Sequence, residues 1–237
     1  MHLRIVGSSP AWPNPGSACS GHLVDGRLLL DCGPGVLAKL REREPWPTVE
    51  AIAITHLHLD HWGDLVPWVW GSLYGPGADL PKPRLLLPRG SCAELRPLLG
   101  SLGSERMLER VFEVEEYDAG ERYEVGHLRV TPHRVVHYDM HAYGFRVESG
   151  ARTLAYSGDS GPCASLLELA RDADLFLAEA TLLDPDEGGA RGHLTAEEAR
   201  DVQTRAGARR LLLTHRPAER PLPPGFELAH DGLELEV

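Results

Sequence analysis

Apolar residues are spread along this chain in short runs, each closed by glycine, proline or an acidic residue. Runs that short between turn residues predict strands rather than helices. Strands are expected over 3–6, 23–24, 28–31, 51–54, 84–87, 110–114, 128–131, 153–156, 175–178 and 210–213, with a last pair over 226–229 and 233–237. Longer stretches between them predict helices over 36–43, 64–73, 92–102, 164–171 and 195–206, the last opened by Thr195 with Glu198 three residues on and stopped by Gly207. Asp25-Gly26 predicts a hairpin, and His230-Asp231-Gly232 a closing one. Gly75-Pro76-Gly77 and Pro81-Lys82-Pro83 frame a loop placed to cap a pocket, and Asn14, Ser17 and Ser20 sit in or after a Pro/Gly-dense loop that can line a site. Hairpins mixed with strand–helix units fit two sheets packed face to face with helices outside, an α/β fold of four layers. No linker or internal repeat divides the chain, so one domain over 1–237 is expected.

The strand over 51–54 runs into Thr55-His56-Leu57-His58-Leu59-Asp60-His61, which gathers three imidazoles and a carboxylate within six residues. On a stiff strand-to-helix turn, side chains one and two apart point in different directions, so His56 and His58 can serve one ion while Asp60 and His61 serve a neighbour. Imidazole with carboxylate suits zinc, manganese or iron rather than calcium or magnesium. His133, His137 and His141 follow at four-residue spacing, which would share a helical face, but Pro132 and the β-branched Thr131, Val135 and Val136 argue for extended chain. Asp159 follows the strand over 153–156; alone it reads as a turn residue or helix cap. The aromatics Trp62, Trp68, Trp70 and Tyr74 read as core, with Trp62 the exception able to stack on a base beside the metals. His2, His22, His127 and His230 are assigned no chemistry.

These motifs resemble the metallo-β-lactamase superfamily, whose H-x-H-x-D-H signature stands here as His56, His58, Asp60 and His61. Asp31, His137, Asp159 and His215 follow the family's order, and Ala178 to Thr181, Gly192 to Ala199 and Leu211 to His215 resemble the ribonuclease Z-like branch, including small bacterial members proposed as atypical class II cyclic-nucleotide phosphodiesterases. The resemblance spans nearly the whole chain. It implies an αββα sandwich holding two divalent ions, zinc first, with manganese or iron(II) as alternatives. His56, His58 and His137 would hold one ion and Asp60, His61 and His215 the other, with Asp159 shared. His141 is the alternative to His137, Asp31 would orient an imidazole, and His193 paired with Glu179 would protonate the leaving group. Asp60 counts as catalytic through the metal it holds.

Composition narrows the substrate. The net charge is −11, and Lys39 and Lys82 are the only lysines. A protein gripping a long nucleic acid carries a basic face; here only Arg205, Arg209, Arg210, Arg216 and Arg220 gather near His215, as a phosphate-binding patch or a solvated helix end. No long basic Gly/Pro-rich insertion stands in the middle region, which argues against tRNA 3′ processing. The expected reaction is hydrolysis of a small phosphodiester, cyclic nucleotides included, by hydroxide generated between two ions. A ribonuclease Z-like RNA 3′-end nuclease and a thioester or lactone hydrolase are the alternatives. Cys19, Cys32, Cys92 and Cys163 lack paired spacing and read as reduced, and with no signal-peptide core or membrane span a cytoplasmic protein is expected. A homodimer rests on the resemblance alone.

Overall fold

The alternation of buried faces along the strands sets the layers of the fold. The protein, described here from a computed structural model, is defined over residues 1–185, 191–222 and 224–237. One sheet contains β1 (His2–Gly7), β2 (Gly21–Val24), β3 (Leu28–Leu30), β4 (Ala51–Ala53), β5 (Arg84–Pro88) and β6 (Glu113–Tyr117) in sequence order. The second contains β7 (Tyr123–Val125), β8 (Leu128–Val135), β9 (Ala142–Ser149), β10 (Arg152–Tyr156), β11 (Leu175–Glu179) and β12 (Arg210–Thr214), and β13 (Glu234–Glu236) returns to the first sheet beside β1. Leu28, Leu30, Leu175 and Leu177 face the space between the sheets, whereas Leu29 and Phe176, one residue out of phase, face the helices. The helices α1 (Val36–Arg41), α3 (Leu65–Tyr74) and α4 (Ser91–Ser101) cover the first sheet, and α5 (Ser165–Leu169) and α6 (Ala196–Ala206) the second. The expected αββα sandwich is the observed fold. Each fully buried Leu or Phe contributes ~1.5–3 kcal/mol, and such residues fill all three interlayer spaces.

Topology decides where chemistry can sit. β3, β4, β5 and β6 are parallel, as are β10, β11 and β12. The carboxyl ends of parallel strands are where loops can converge without crossing a sheet edge. Asp31 follows β3, residues 55–61 follow β4, Asp159 follows β10, Glu179 closes β11 and His215 follows β12.

Several elements differ from expectation. Residues 108–110 form a 3-10 turn, and β6 starts three residues later than expected, because Leu108, Val111 and Phe112 are drawn into the core beside α3, where Phe112 meets Trp68. β8 continues through Pro132 to Val135: pairing with β7 stops at Val130, so the missing proline N–H faces no partner strand. A four-residue helix, α2 (Leu59–Trp62), occupies the middle of the metal motif. The closing hairpin is absent. Leu228 bridges Leu213 of the second sheet, while β13 pairs with β1 of the first, so the C-terminal segment spans the two sheets instead of folding on itself. Within it the Asp231 carboxylate accepts hydrogen bonds from the Ser8 N–H (3.2 Å), Ser8 Oγ (3.0 Å), the Ala18 N–H (2.7 Å) and Ser17 Oγ. His2 and His127, without carboxylates beside them in sequence, meet Glu234 and Asp25 through space. Among the described residues no helix is long and apolar enough to cross a membrane.

The Asp25-Gly26 turn forms as expected, with both residues at positive φ (48° and 67°) and the Arg27 N–H donating to the Val24 carbonyl at 2.9 Å. α6 opens with the expected capping box: Thr195 Oγ1 accepts from the Glu198 N–H, and Glu198 accepts from the Thr195 N–H. Thr195→Ala removes one side of this exchange. It is expected to destabilise the protein by about 1 kcal/mol, seen by calorimetry as a loss of about 2–4 °C in Tm; an unchanged Tm would show that the cap is idle.

Candidate metal centre

The motif after β4 is held by its neighbours before it can hold anything itself. The Cys32 N–H donates to the His61 carbonyl (2.7 Å) and the Asp64 N–H to the Cys32 carbonyl (3.0 Å), pinning α2 against the loop after β3. A Cβ on Gly33 would lie 1.8 Å from the Asp60 carbonyl oxygen, so only glycine permits this approach. α2 then presents Asp60 and His61 from one turn, with His58 in extended conformation ahead of it.

Two groups of donor atoms result. His56 Nε2 and His137 Nε2 lie 3.0 and 2.9 Å from His58 Nδ1. His215 Nε2 and His61 Nε2 lie 3.1 and 3.2 Å from Asp60 Oδ2, and 3.4 and 3.3 Å from Asp159 Oδ2. Asp159 Oδ2 is also 4.0 Å from His137 Nε2, which puts this carboxylate between the groups. The structure thus gathers all seven residues that the family pattern marks as ligands, and Asp159 caps no helix, since α5 begins from Ala164.

Oxygen acceptors behind the rings fix which nitrogen faces inward. His61 Nδ1 donates to Asp31 Oδ2 (2.7 Å) and His137 Nδ1 to the Gly192 carbonyl (2.6 Å). His215 Nδ1 lies 2.9 Å from Thr181 Oγ1, whose own proton goes to the His215 carbonyl. In the neutral ring each arrangement leaves Nε2 with its lone pair toward the centre, as a metal ligand requires. Asp31 is fully buried, and besides His61 it takes the Thr55 N–H, Ser20 Oγ and Tyr156 OH. Asp31 (φ 61°) and His215 (φ 56°) both adopt left-handed backbone at their strand ends, a strain of the kind that marks functional sites.

The donor set fits divalent cations. Among the described residues, His61 Nε2 and Asp159 Oδ1 are buried with no hydrogen-bond partner, a costly state for polar atoms unless a ligand satisfies them. Burial, then the neighbouring imidazoles, hold the His56 pKa well below its usual value, which suits a neutral ligand. Burial would also lower His61, but Asp159, Asp31 and Asp60 outweigh it and raise its pKa. Asp159 shows the converse: burial opposes its charge, and His215 and His61 hold its pKa well below the carboxylate range. The cluster's carboxylates thus favour positive charge among them, which divalent ions would supply.

His193 sits at the edge of the cluster. Its Nδ1 donates to Glu179 Oε1 (2.8 Å), and the Glu179 carboxylate is itself held by the N–H groups of Ser160 (3.0 Å) and Thr181 (2.9 Å). Burial works against the imidazolium, but the charge and hydrogen bond of Glu179, then Asp159, push the pKa up to about 9.

Other expectations fall away. His141 is exposed and outside the donor groups, and His133 is half-buried within β8. Trp62 is 3% exposed, its Nε1 bonded to the Leu57 carbonyl, so it cannot stack on a substrate; Trp68 is core as expected, whereas Trp70 and Tyr74, expected in the core, stack on each other at the surface. Gly77, Pro81, Lys82 and Pro83 line, with Trp46 and Trp68, a cavity of about 490 Å³ at the amino ends of β5 and β6. Their loop therefore lies at the opposite edge of the sheet and caps no metal. Asn14 braces the loop after β12 through the Arg216 carbonyl and the Ala218 N–H, Ser17 serves Asp231, and Ser20 serves Asp31. Arg216 is buried and donates to the Ala180 and Leu182 carbonyls, while Arg205, Arg209 and Arg210 pair with Asp201, Asp174 and Glu227, so these four make no phosphate patch. Sequence reasoning missed Thr181, Tyr156 and the Gly192 carbonyl, which aim the ligands; short polar contacts from distant strands leave no local pattern.

Two facing sheets with seven imidazole and carboxylate donors at their carboxyl edges define a hydrolase of the metallo-β-lactamase fold. The chain belongs to the β-lactamase superfamily: the model for the Beta-lactamase superfamily domain matches residues 26–216. It is 35% identical over 225 residues to an uncharacterized protein of Mycobacterium tuberculosis, covering 92% of this chain and 81% of that one. Ribonuclease Z of Salinibacter ruber is 31% identical over 253 residues, covering 83% and 77%. The crystal structure of the metallo-β-lactamase fold protein YhfI from Bacillus subtilis matches with a TM-score of 0.82 at 22% identity over 99% of both chains. A diphosphatase from the PhnP family matches at 0.71 and 25% identity, covering 100% and 97%.

Removing the acceptor behind a ligand imidazole typically weakens metal binding by roughly 10–100-fold. Asp31→Asn is expected to do so here, measured by competition with a chromogenic chelator. Unchanged affinity would mean that Asp31 serves only the fold.

Proposed function

We propose that the protein is a phosphodiesterase acting on small nucleotides, cyclic ones included, with two zinc ions as its cofactor. The observation that carries this reading is the His193–Glu179 pair beside Asp159: an alkoxide leaving group needs a proton, and this pair holds one at the rim of the donor cluster. His56, His58 and His137 would hold one ion, Asp60, His61 and His215 the other, and Asp159 both. When bound, such ions supply an acidified water and positive charge facing the phosphoryl oxygens.

The chain's own residues do the rest. Asp31, Thr181 and the Gly192 carbonyl keep three imidazoles in register, so the donors need no rearrangement as charge shifts. Glu179 fixes the His193 ring by its Nδ1–H, which directs Nε2, the other proton-bearing nitrogen of the imidazolium, away from the carboxylate. That second proton passes to the leaving oxygen, and the Glu179 charge stabilises the imidazolium until it does. The acidic surface and the paired arginines favour a small substrate over a long RNA. The relatives named for ribonuclease Z and for a diphosphatase both act on phosphorus esters or anhydrides by their names, which supports phosphoryl over thioester or lactone chemistry.

Bis-p-nitrophenyl phosphate should be hydrolysed by the metal-loaded protein far faster than an acyl thioester or a lactone; the reverse order would overturn the reading. Cations bound beside Asp159 would draw the His193 pKa down, so activity should fall as pH rises through a value at or below about 9, where the acid loses its proton. His193→Ala is expected to lower kcat by ~10²–10⁴-fold and abolish that limb with metal content unchanged. Loss of metal instead would make His193 a ligand.

A further inference from the structure

A strained aromatic residue at the mouth of the centre has no role in the hydrolysis described above. Tyr138, next to His137, adopts φ 49°, a left-handed conformation that a bulky side chain takes only when its surroundings impose it. The residue is 49% exposed. One edge meets His193 at 5.8 Å between centroids and 79° between planes, and the ring leans on His137 at 4.9 Å and 55°. Beneath it runs the backbone of Gly192, where a Cβ would fall 2.5 Å from the phenol carbons, so the ring lies closer to this segment than any other residue would permit. The strained backbone and the absent side chain at 192 together set this half-exposed ring against His137 and His193.

The surroundings match one kind of guest. Leu59, between His58 and Asp60, is exposed, as are Val136 before His137 and Leu183 shortly after Thr181. A half-exposed aromatic ring in contact with two imidazoles of the donor cluster suits a molecule with a flat hydrophobic end and an anionic end. Trp62 and Trp68 are buried, and among the described Phe, Trp and Tyr side chains Tyr138 is the one whose ring meets both His137 and His193.

We infer that Tyr138 is the platform on which the base of a nucleotide substrate stacks while its phosphate lies at the metal centre. The inference deepens the phosphodiesterase reading and rests on it for the phosphate end. Stacking on an aromatic side chain is tolerant of base identity, so the residue selects nucleotides as a class rather than one base.

The test is binding rather than turnover. Titration calorimetry of zinc-loaded protein compares adenosine 5′-monophosphate with ribose 5-phosphate, which differ only in the base, for the wild type, Tyr138→Ala and Tyr138→Phe at equal metal content. The wild type should favour the nucleotide by roughly 5–150-fold, the range that base stacking spans. Alanine should bring the two ligands close to parity by weakening the nucleotide alone, and phenylalanine should keep the preference. Equal affinities in the wild type, an unchanged ratio in the alanine variant, an equal loss for both ligands, or binding of neither would overturn the inference. The phosphodiesterase reading fails on a different result, the absence of bis-p-nitrophenyl phosphate hydrolysis by the wild type.

Discussion

A carboxylate with no access to water must find its donors inside the protein, and Asp31 finds them on both sheets. Thr55 offers its backbone and hydroxyl from the end of β4, Ser20 comes from the segment ahead of β2, and Tyr156 reaches across from β10 of the second sheet. A buried charge is tolerable only with such a complement. The two sheets are thereby tied at the edge where the donor residues emerge, and His61 is aimed by the same oxygen that binds Tyr156. The left-handed backbone at Asp31 is the cost of turning its carboxylate inward from a strand end.

Around this anchor the structure concentrates groups that oppose one another. Asp60, Asp159 and Glu179 lie among His56, His58, His61, His137, His193 and His215 in a space where water cannot spread their charge. Among the described residues, local rules of burial are broken on this scale only here, which is the pattern expected where a fold has been shaped for chemistry rather than stability. The surrounding layers compensate. Leucine-rich strands with helices on both outer faces leave the carboxyl edges free to carry polar loops.

Much of this was legible in the residues. Fully buried strands such as 28–30 and 175–177 announced themselves as continuous apolar runs, and the spacing of His56, His58, Asp60 and His61 is dense enough to mean metal without any neighbour. Asp25-Gly26 and Thr195 with Glu198 carry their geometry in two or four positions. What escaped depends on distance. β7 is too short and too polar to stand out until β8 pairs with it. The true start of β6 is set by Phe112 packing on Trp68 of α3, and the fate of the 226–237 segment by two sheets that lie far apart in sequence. Arginines near His215 looked free because their carboxylate partners, Asp174 and Glu227, are remote in the chain. The Pro/Gly loop looked like a lid because sequence does not say which end of a strand faces the site.

The C-terminal segment bears on how the molecule comes to exist. Asp231 gathers Ser8, Ser17 and the Ala18 amide, and the same rim gives His215 its backbone bond through the Ser8 carbonyl. During synthesis every donor from His56 to His215 leaves the ribosome before Asp231 does, so the nascent chain carries a complete set of metal-seeking side chains on a scaffold whose first loop is still untethered. The clasp on the first loop thus follows every donor in chain order, and cations captured before Asp231 engages would be held on an unclasped sandwich.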